Sequence, residues 1–349
     1  MRNVAIVGAG MTPFAEHFEL GIKDLVPMAY AEAVANVDKG IQKSEIEAAW
    51  FGELSTTDGF PSGILADTLD LTDIPVTRIE NACATGNDAI RNGTLAIASG
   101  LYDVVLVVGA DKVRETSSNT TFWDWAAMTR DNAWDYPLGL VAPANFALHV
   151  MRYLHESPAT KEHMAMVAVK NHFHAVKNPK AQLRYEITVE QALAAPIVVE
   201  PFGLYDCTPQ SDGAAAVILA AEEVVDRYTD RPVWVRGVGL GMDRVMHQHK
   251  ADMTTFPPTV RAAKAAMKRG KVGSLANQRL TLAVIAKAPR LQDRGAAQRT
   301  DGAHQAAGVL DRHEGRRSQT EIVQKRLFGQ AVLGQRERSR AGAHRLEGR

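Results

Sequence analysis

Two cysteines occur in the 349 residues, and the first, Cys83, stands in the stretch ENACATGNDAIRNG, residues 80–93. Its neighbours are small: Ala82 and Ala84 flank it, and Thr85 and Gly86 follow. The stretch joins a β-branched run to a segment of helical periodicity, which puts the thiol at the start of a helix. That position suits chemistry. The thiolate is the reactive form of cysteine, and the unpaired amides of a helix N-terminus favour the anion. Small neighbours leave room for an acyl group and let backbone N–H groups reach an oxyanion. The competing reading is a cysteine packed as a small hydrophobe, and spacing alone leaves both open. Cys207 lies in the turn-rich LYDCTPQSDG with no helix behind it, and reads as structural.

Other candidate groups are weaker. KNHFHAVKNP places His172 and His174 two residues apart at a helix end, on different faces. They read as a polar cluster at the helix terminus rather than as a catalytic pair. His149, His155 and His163 read as surface or packing residues. VGAGMTPF suggests a dinucleotide fingerprint, but Pro13 occupies the third glycine position and no helix starts at once. A glycine turn ending a strand is the better account. No metal site is expected, since there is no Cys-x-x-Cys pair and the histidines lack a ligand spacing.

The elements that must position Cys83 alternate between strand and helix. Asn3–Val7 reads as a buried strand stopped by Gly8, and Leu25–Val37 as a helix ending at Gly40. Ile46–Leu54 and Val76–Ala82 read as strands, and Asp88–Ala98 as a helix. Tyr102–Gly109, YDVVLVVG, is an apolar β-branched run of the kind covered on both faces. The pattern predicts an α/β layer with right-handed crossovers. From Asp111 to about Pro196 three Trp, several Met and five His fall in a mostly helical excursion. Its helices are placed at Ala144–Tyr153 and Lys161–Ala175, and so long an excursion between core strands often carries a substrate pocket. Ser211–Ala220 returns to strand character. Pro232–Gly241, a loop and a helix at Thr259–Lys268 then resemble the opening of residues 3–38, which suggests an internal duplication. Leu280–Ala286 could add a strand, and no readable period follows it.

Composition sharpens that break. Residues 270–349 hold 13 Arg and 3 Lys against 7 acidic residues, although the whole chain is formally neutral. They carry a single aromatic, Phe328. Without aromatic interleaving this basic tail is not read as a nucleic-acid surface. Two cysteines without a pairing framework suggest reduced thiols in a cytoplasmic protein. No signal peptide is apparent, and no apolar run reaches the roughly 18 residues of a membrane span.

Together, VAIVGAGMTPF, ENACATGNDAI, SGLYDVVLVVGADKV, KNHFHAVKNPKAQ and LYDCTPQSDGAAAVILA resemble the thiolase superfamily. The nearest branch is that of the sterol-carrier-protein, or lipid-transfer, thiolases. The resemblance covers residues 2–269 in family order. It implies an α/β fold of duplicated α/β/α/β/α layers, with the second half incomplete here. Residues 1–110 and 197–228 would form the N-terminal thiolase half, 111–196 the inserted loop domain, and 229–270 the start of the C-terminal half. Cys83 matches the family nucleophile. The implied activity is CoA-dependent acyl transfer on 3-oxoacyl-CoA of fatty or sterol side chains through a Cys83 thioester. Coenzyme A thioesters enter as substrates, with no cofactor. The alternatives are retro-aldol cleavage of 3-hydroxyacyl-CoA steroid side chains, and a non-catalytic acyl-CoA or lipid-binding scaffold. The resemblance also implies a homodimer across the sheet edge and, for the aldolase reading, a small acyl-CoA-binding companion protein.

One departure bears on activity. The family's second half supplies a His- or Asn-containing motif and a Gly-His-Pro motif, and many members add a second cysteine. After residue 270 this sequence has none of them; His304, His313 and His344 stand in other contexts. Residues 271–349 are accordingly read as an atypical Arg-rich tail, either frame-shifted or disordered, and the chain as impaired in catalysis.

Overall fold

The computed structural model describes residues 2–54, 60–114, 131 and 133–271. All lie in the first of the two units into which the chain divides, Met1–Lys287. The proposed strand at 280–286 and nearly all of the Arg-rich tail lie outside the described residues.

The first stretch runs β1 (Val4–Met11), α1 (Ile22–Ala35), β2 (Ala48–Gly52), α2 (Pro61–Leu69), β3 (Val76–Ile79), α3 (Thr85–Ala98) and β4 (Val104–Asp111). Then come α4 (Ala142–Glu156), α5 (Lys161–Ala175), α6 (Val189–Leu193) and the short pair β5 (Ile197–Val199) and β6 (Phe202–Gly203). Strands β7 (Gly213–Ala221) and β8 (Val233–Trp234) and helix α7 (Pro257–Arg269) follow. Six strands form one mixed sheet in the order β3-β2-β4-β7-β1-β8. β2 pairs in parallel with β3 and β4, and β7 runs antiparallel between β4 and β1. β4 and β7, at the centre, are the most apolar strands, as cover on both faces requires.

Alternation along the strands assigns the two faces. Gly8 pairs with Ile218, and Ile218 pairs with Leu106, so these three side-chain directions share a face. That face carries α1, whose Ala29 and Ala33 lie against Gly8 and Gly10. The other face carries α3, where Gly93 sits over Val105, Val107 and Leu219. In α3, Ala89, Gly93 and Ile97 are buried at four-residue spacing, which makes the stripe that docks on the sheet. Helix, sheet and helix therefore form three layers around one core. A second, smaller cluster of Ala165, Ala168, Ile187 and Ala192 holds α5 and α6 together, with Tyr205 packed against it.

The structure corrects the sequence reading of β1. Gly8 does not stop the strand, which runs on to Met11. A Cβ at Gly8 would overlap the Ala33 carbonyl, and one at Gly10 would overlap Ala29 and Ala33. Both glycines are there so that the helix backbone can lie directly on the strand. The same device recurs later. A Cβ at Gly237 would overlap Ala266, and one at Gly239 would overlap Ala262, again two alanines four apart on the following helix. Of the expected strand Val233–Trp234 pairs with Ala5 and Ile6, and the Val235 amide adds one bond to the Val4 carbonyl at 2.9 Å. Helix α2 was not read from the sequence, and Val76–Ala82 shortens to Val76–Ile79 because residues 82–84 turn.

Gly10→Ala is expected to destabilise the protein by about 1–3 kcal/mol through overpacking. Gly86→Ala, whose Cβ meets nothing within 4 Å, should leave stability near wild type. Urea unfolding followed by tryptophan fluorescence checks both.

Candidate active site

The carboxyl ends of β1, β2, β3 and β4 and the start of β7 open onto one cavity of about 280 Å³. Ligands of open α/β sheets bind outside the carboxyl ends of the strands, and the sequence builds this place from small residues. Gly52 ends β2, Gly109 lies near the end of β4, and Gly213 and Ala215 open β7; all line the cavity. The Phe14 ring forms a wall, packed so closely on Gly213 that a Cβ there would lie 2.9 Å from it. Asp111 also lines the cavity, and its Oδ1 accepts a hydrogen bond from the Leu54 amide at 3.4 Å.

Cys83 is exposed and lines this cavity. It is the middle residue of a 3-10 turn, Ala82–Ala84, that joins β3 to α3. Helix α3 starts at Thr85, three residues earlier than the periodicity suggests, so the thiol lies two residues before the first helical residue. The residue before it, Ala82, has φ of +45°. A non-glycine residue there is strained by about 1–3 kcal/mol, and such strain concentrates at functional sites.

A buried carboxylate holds the rim together. Asp212 is fully buried. Its Oδ1 accepts from the amides of Val113 at 2.7 Å and Arg114 at 3.0 Å, while its Oδ2 accepts from the His17 amide at 3.1 Å and Lys112 Nζ at 3.0 Å. Its backbone bridges Ala15. One side chain thus ties together the segments that leave β1, leave β4 and enter β7. Burial pushes the Asp212 carboxyl up, and the bonds from Val113, Lys112, Arg114 and His17 together outweigh it, leaving the group below its usual range. The sequence reading missed Asp212, treating SDG as the start of a strand. The available signal was an acidic residue directly before a continuously apolar strand.

The other candidate residues lie away from Cys83. Cys207 is half-buried after the turn Leu204–Asp206, and burial, with Asp206 beside it, pushes its thiol up. His172 and His174 sit in the last turn of α5, and His172 Nδ1 is 2.8 Å from the Tyr185 carbonyl oxygen. The Thr160 amide donates to His163 Nδ1 at 3.0 Å, and His155 is in the last turn of α4. His149 is buried, with Nδ1 2.9 Å from the Met253 carbonyl oxygen and its ring 5.4 Å from that of His247. Burial, with His149 nearby, pushes His247 down, and Asp135 opposes this. Among the described residues no histidine lines the cavity. No group of three or more His, Cys, Asp or Glu among them could hold a metal ion. No described helix is long and apolar enough to cross a membrane.

Residues 4–223, which include the three-layer unit and the Cys83 turn, match the thiolase N-terminal domain family. The chain belongs to the thiolase superfamily, in the branch that includes the sterol carrier protein 2 thiolases. It is 35% identical over 276 residues to an acetyl-CoA acetyltransferase of Methanothermobacter thermautotrophicus, covering 78% of this chain and 71% of that protein. It is 31% identical over 244 residues to sterol carrier protein 2 of Gallus gallus, covering 66% of this chain and 43% of that protein. The fold is shared with an Ltp2–ChsH2(DUF35) aldolase, at a TM-score of 0.66 and 24% identity over 77% of this chain and 70% of the other. The acetyl-CoA acetyltransferase relative supports acyltransferase activity at the level of the family.

Asp212→Asn removes a buried negative charge that four donors satisfy, and is expected to destabilise the fold by about 3–5 kcal/mol at neutral pH. Because the folded carboxyl is depressed, its contribution is present above the unfolded value of about 3.9 and is lost as pH falls through the folded value. Urea midpoints measured from acid to neutral pH should fall steeply at the acid end in wild type. In the variant they should start lower and depend less on pH.

Proposed function

We propose that the chain is a CoA-dependent acyltransferase of the thiolase type, with Cys83 as the nucleophile. The observation that carries this reading is an exposed thiol, on a strained turn before a helix, opening onto a cavity floored by glycine and alanine. The thiolate attacks the keto carbon of a 3-oxoacyl-CoA. As the Cα–Cβ bond breaks, its electron pair passes to the α carbon of the departing acyl-CoA, which takes up a proton. The acyl group stays on Cys83 as a thioester. A second CoA thiolate then attacks the thioester carbonyl, and Cys83 leaves as thiolate. The small floor residues leave room for the acyl group. Fatty and sterol side-chain thioesters are the substrate class that the sterol-carrier branch suggests. A homodimer in the cytoplasm belongs to the same reading.

The family assigns the proton-transferring base to second-half motifs that are missing after residue 270. We therefore expect catalysis by this chain alone to be impaired. Retro-aldol cleavage of a 3-hydroxyacyl-CoA, with a companion subunit, is the second reading, drawn from the aldolase assembly that shares the fold. Its products would be a carbonyl compound and a shorter acyl-CoA, with no free CoA consumed.

Incubation with acetyl-CoA should add one acetyl group to the peptide bearing Cys83, read by mass spectrometry. Cys83→Ala should abolish the label. A wild-type protein that stays unlabelled, or a label that survives the substitution, would reject the thioester mechanism.

A further inference from the structure

Nothing in an alanine side chain favours the φ of +45° at Ala82; the surrounding hydrogen bonds impose it. The Ala82 amide donates to Glu80 Oε1 at 2.6 Å. On the other side of the residue, the Ala82 carbonyl accepts from Thr85 Oγ1 at 2.6 Å. The same hydroxyl accepts from the Asn81 amide at 2.8 Å, and the Ala84 amide closes the turn on the Asn81 carbonyl at 3.0 Å. Thr85 Oγ1 therefore bridges the two residues Asn81 and Ala82, accepting from the amide of the first and donating to the carbonyl of the second. Thr85 is 8% exposed. Its methyl group is pressed toward the glycine that ends β2, where a Cβ on Gly52 would lie 3.0 Å from Thr85 Cγ2. Packing thus fixes the rotamer that aims the hydroxyl into the turn.

We infer that Thr85 is the positioning residue for Cys83: its hydroxyl locks the left-handed turn that presents the thiol to the cavity. This rests on the reading of Cys83 as the acyl-accepting nucleophile. The sheet contributes too, because Gly52 leaves the space that the Thr85 methyl fills. Without the hydroxyl, Ala82 can relax toward the right-handed region. Cys83 then turns relative to the cavity while the helix behind it stays in place.

Two measurements test this separately. Acetylation of Cys83 by acetyl-CoA is compared with alkylation by iodoacetamide in wild type, Thr85→Val and Thr85→Ser. Valine keeps the shape and loses both hydrogen bonds; serine keeps the hydroxyl. Acetylation, which needs an oriented thiol, should fall about tenfold to a hundredfold in Thr85→Val, with alkylation changed far less, and serine should restore it. Equal acetylation in wild type and Thr85→Val overturns the proposal, and so does a parallel loss of both reactions. The second measurement is a double-mutant cycle on the urea midpoint, using Ala82→Gly. Glycine should raise the midpoint where the turn is locked and give no gain in the Thr85→Val background. An equal gain in both backgrounds overturns the lock. A wild-type protein that takes no acetyl group overturns the reading of Cys83, and the cycle still decides whether Thr85 holds the turn.

Discussion

The buried carboxylate of Asp212 is the constraint on which the site end of the molecule depends. A charge with no access to water must be met by donors, and the segment that carries Asp212 supplies none of its four. They come instead from His17, from the Lys112 side chain, and from the amides of Val113 and Arg114. Satisfying one group therefore fixes three chain segments that are distant in sequence. Phe14, next to the Ala15 bridge, becomes a wall of the cavity as a result, and its amide donates to the Lys180 carbonyl of the segment after α5 at 3.0 Å. The cavity's shape follows from the electrostatics of its rim.

Much of the fold was legible in the sequence because its signals are local. The apolar runs of β4 and β7, the small-residue turn around Cys83 and the periodicity of α1 each depend on neighbours within a few positions. What failed was whatever depends on distant partners. Gly8 reads as a breaker until α1 lies across it. Asp212 reads as loop polarity until residues 17 and 112–114 arrive beside it. The start of α3 was misplaced by three residues because Thr85 looks like a turn residue. Its hydroxyl does serve the turn, while its backbone is already helical. Helix α2 was lost because its nine residues span too few turns for a period to declare itself.

Glycine and alanine serve two purposes here. Where a strand meets a helix, as at Gly8 and Gly10 or at Gly237 and Gly239, they remove atoms so that backbones can touch. Where strands end, as at Gly52 and Gly109, they remove atoms so that something else can enter. The first use appears twice with the same spacing, glycines two apart against alanines four apart. The same packing of glycines on alanines thus occurs at two places among the described residues. The second use is confined to the Cys83 end of the sheet.

The placement of β7 has a consequence for how the chain comes into being. Among the described residues β7 is the only strand that bonds to both β1 and β4, yet it is separated from β1 by some two hundred residues of sequence. At synthesis rates of roughly 5–20 residues per second, β1 emerges about 10–40 seconds before the strand that will flank it. β4, among the most apolar segments of the protein, emerges about halfway through that interval and from then on has an open edge of the kind that invites wrong pairing. The central sheet is thus completed by a late arrival, and the order of synthesis leaves the nascent chain exposed to aggregation until residue 221 has been made.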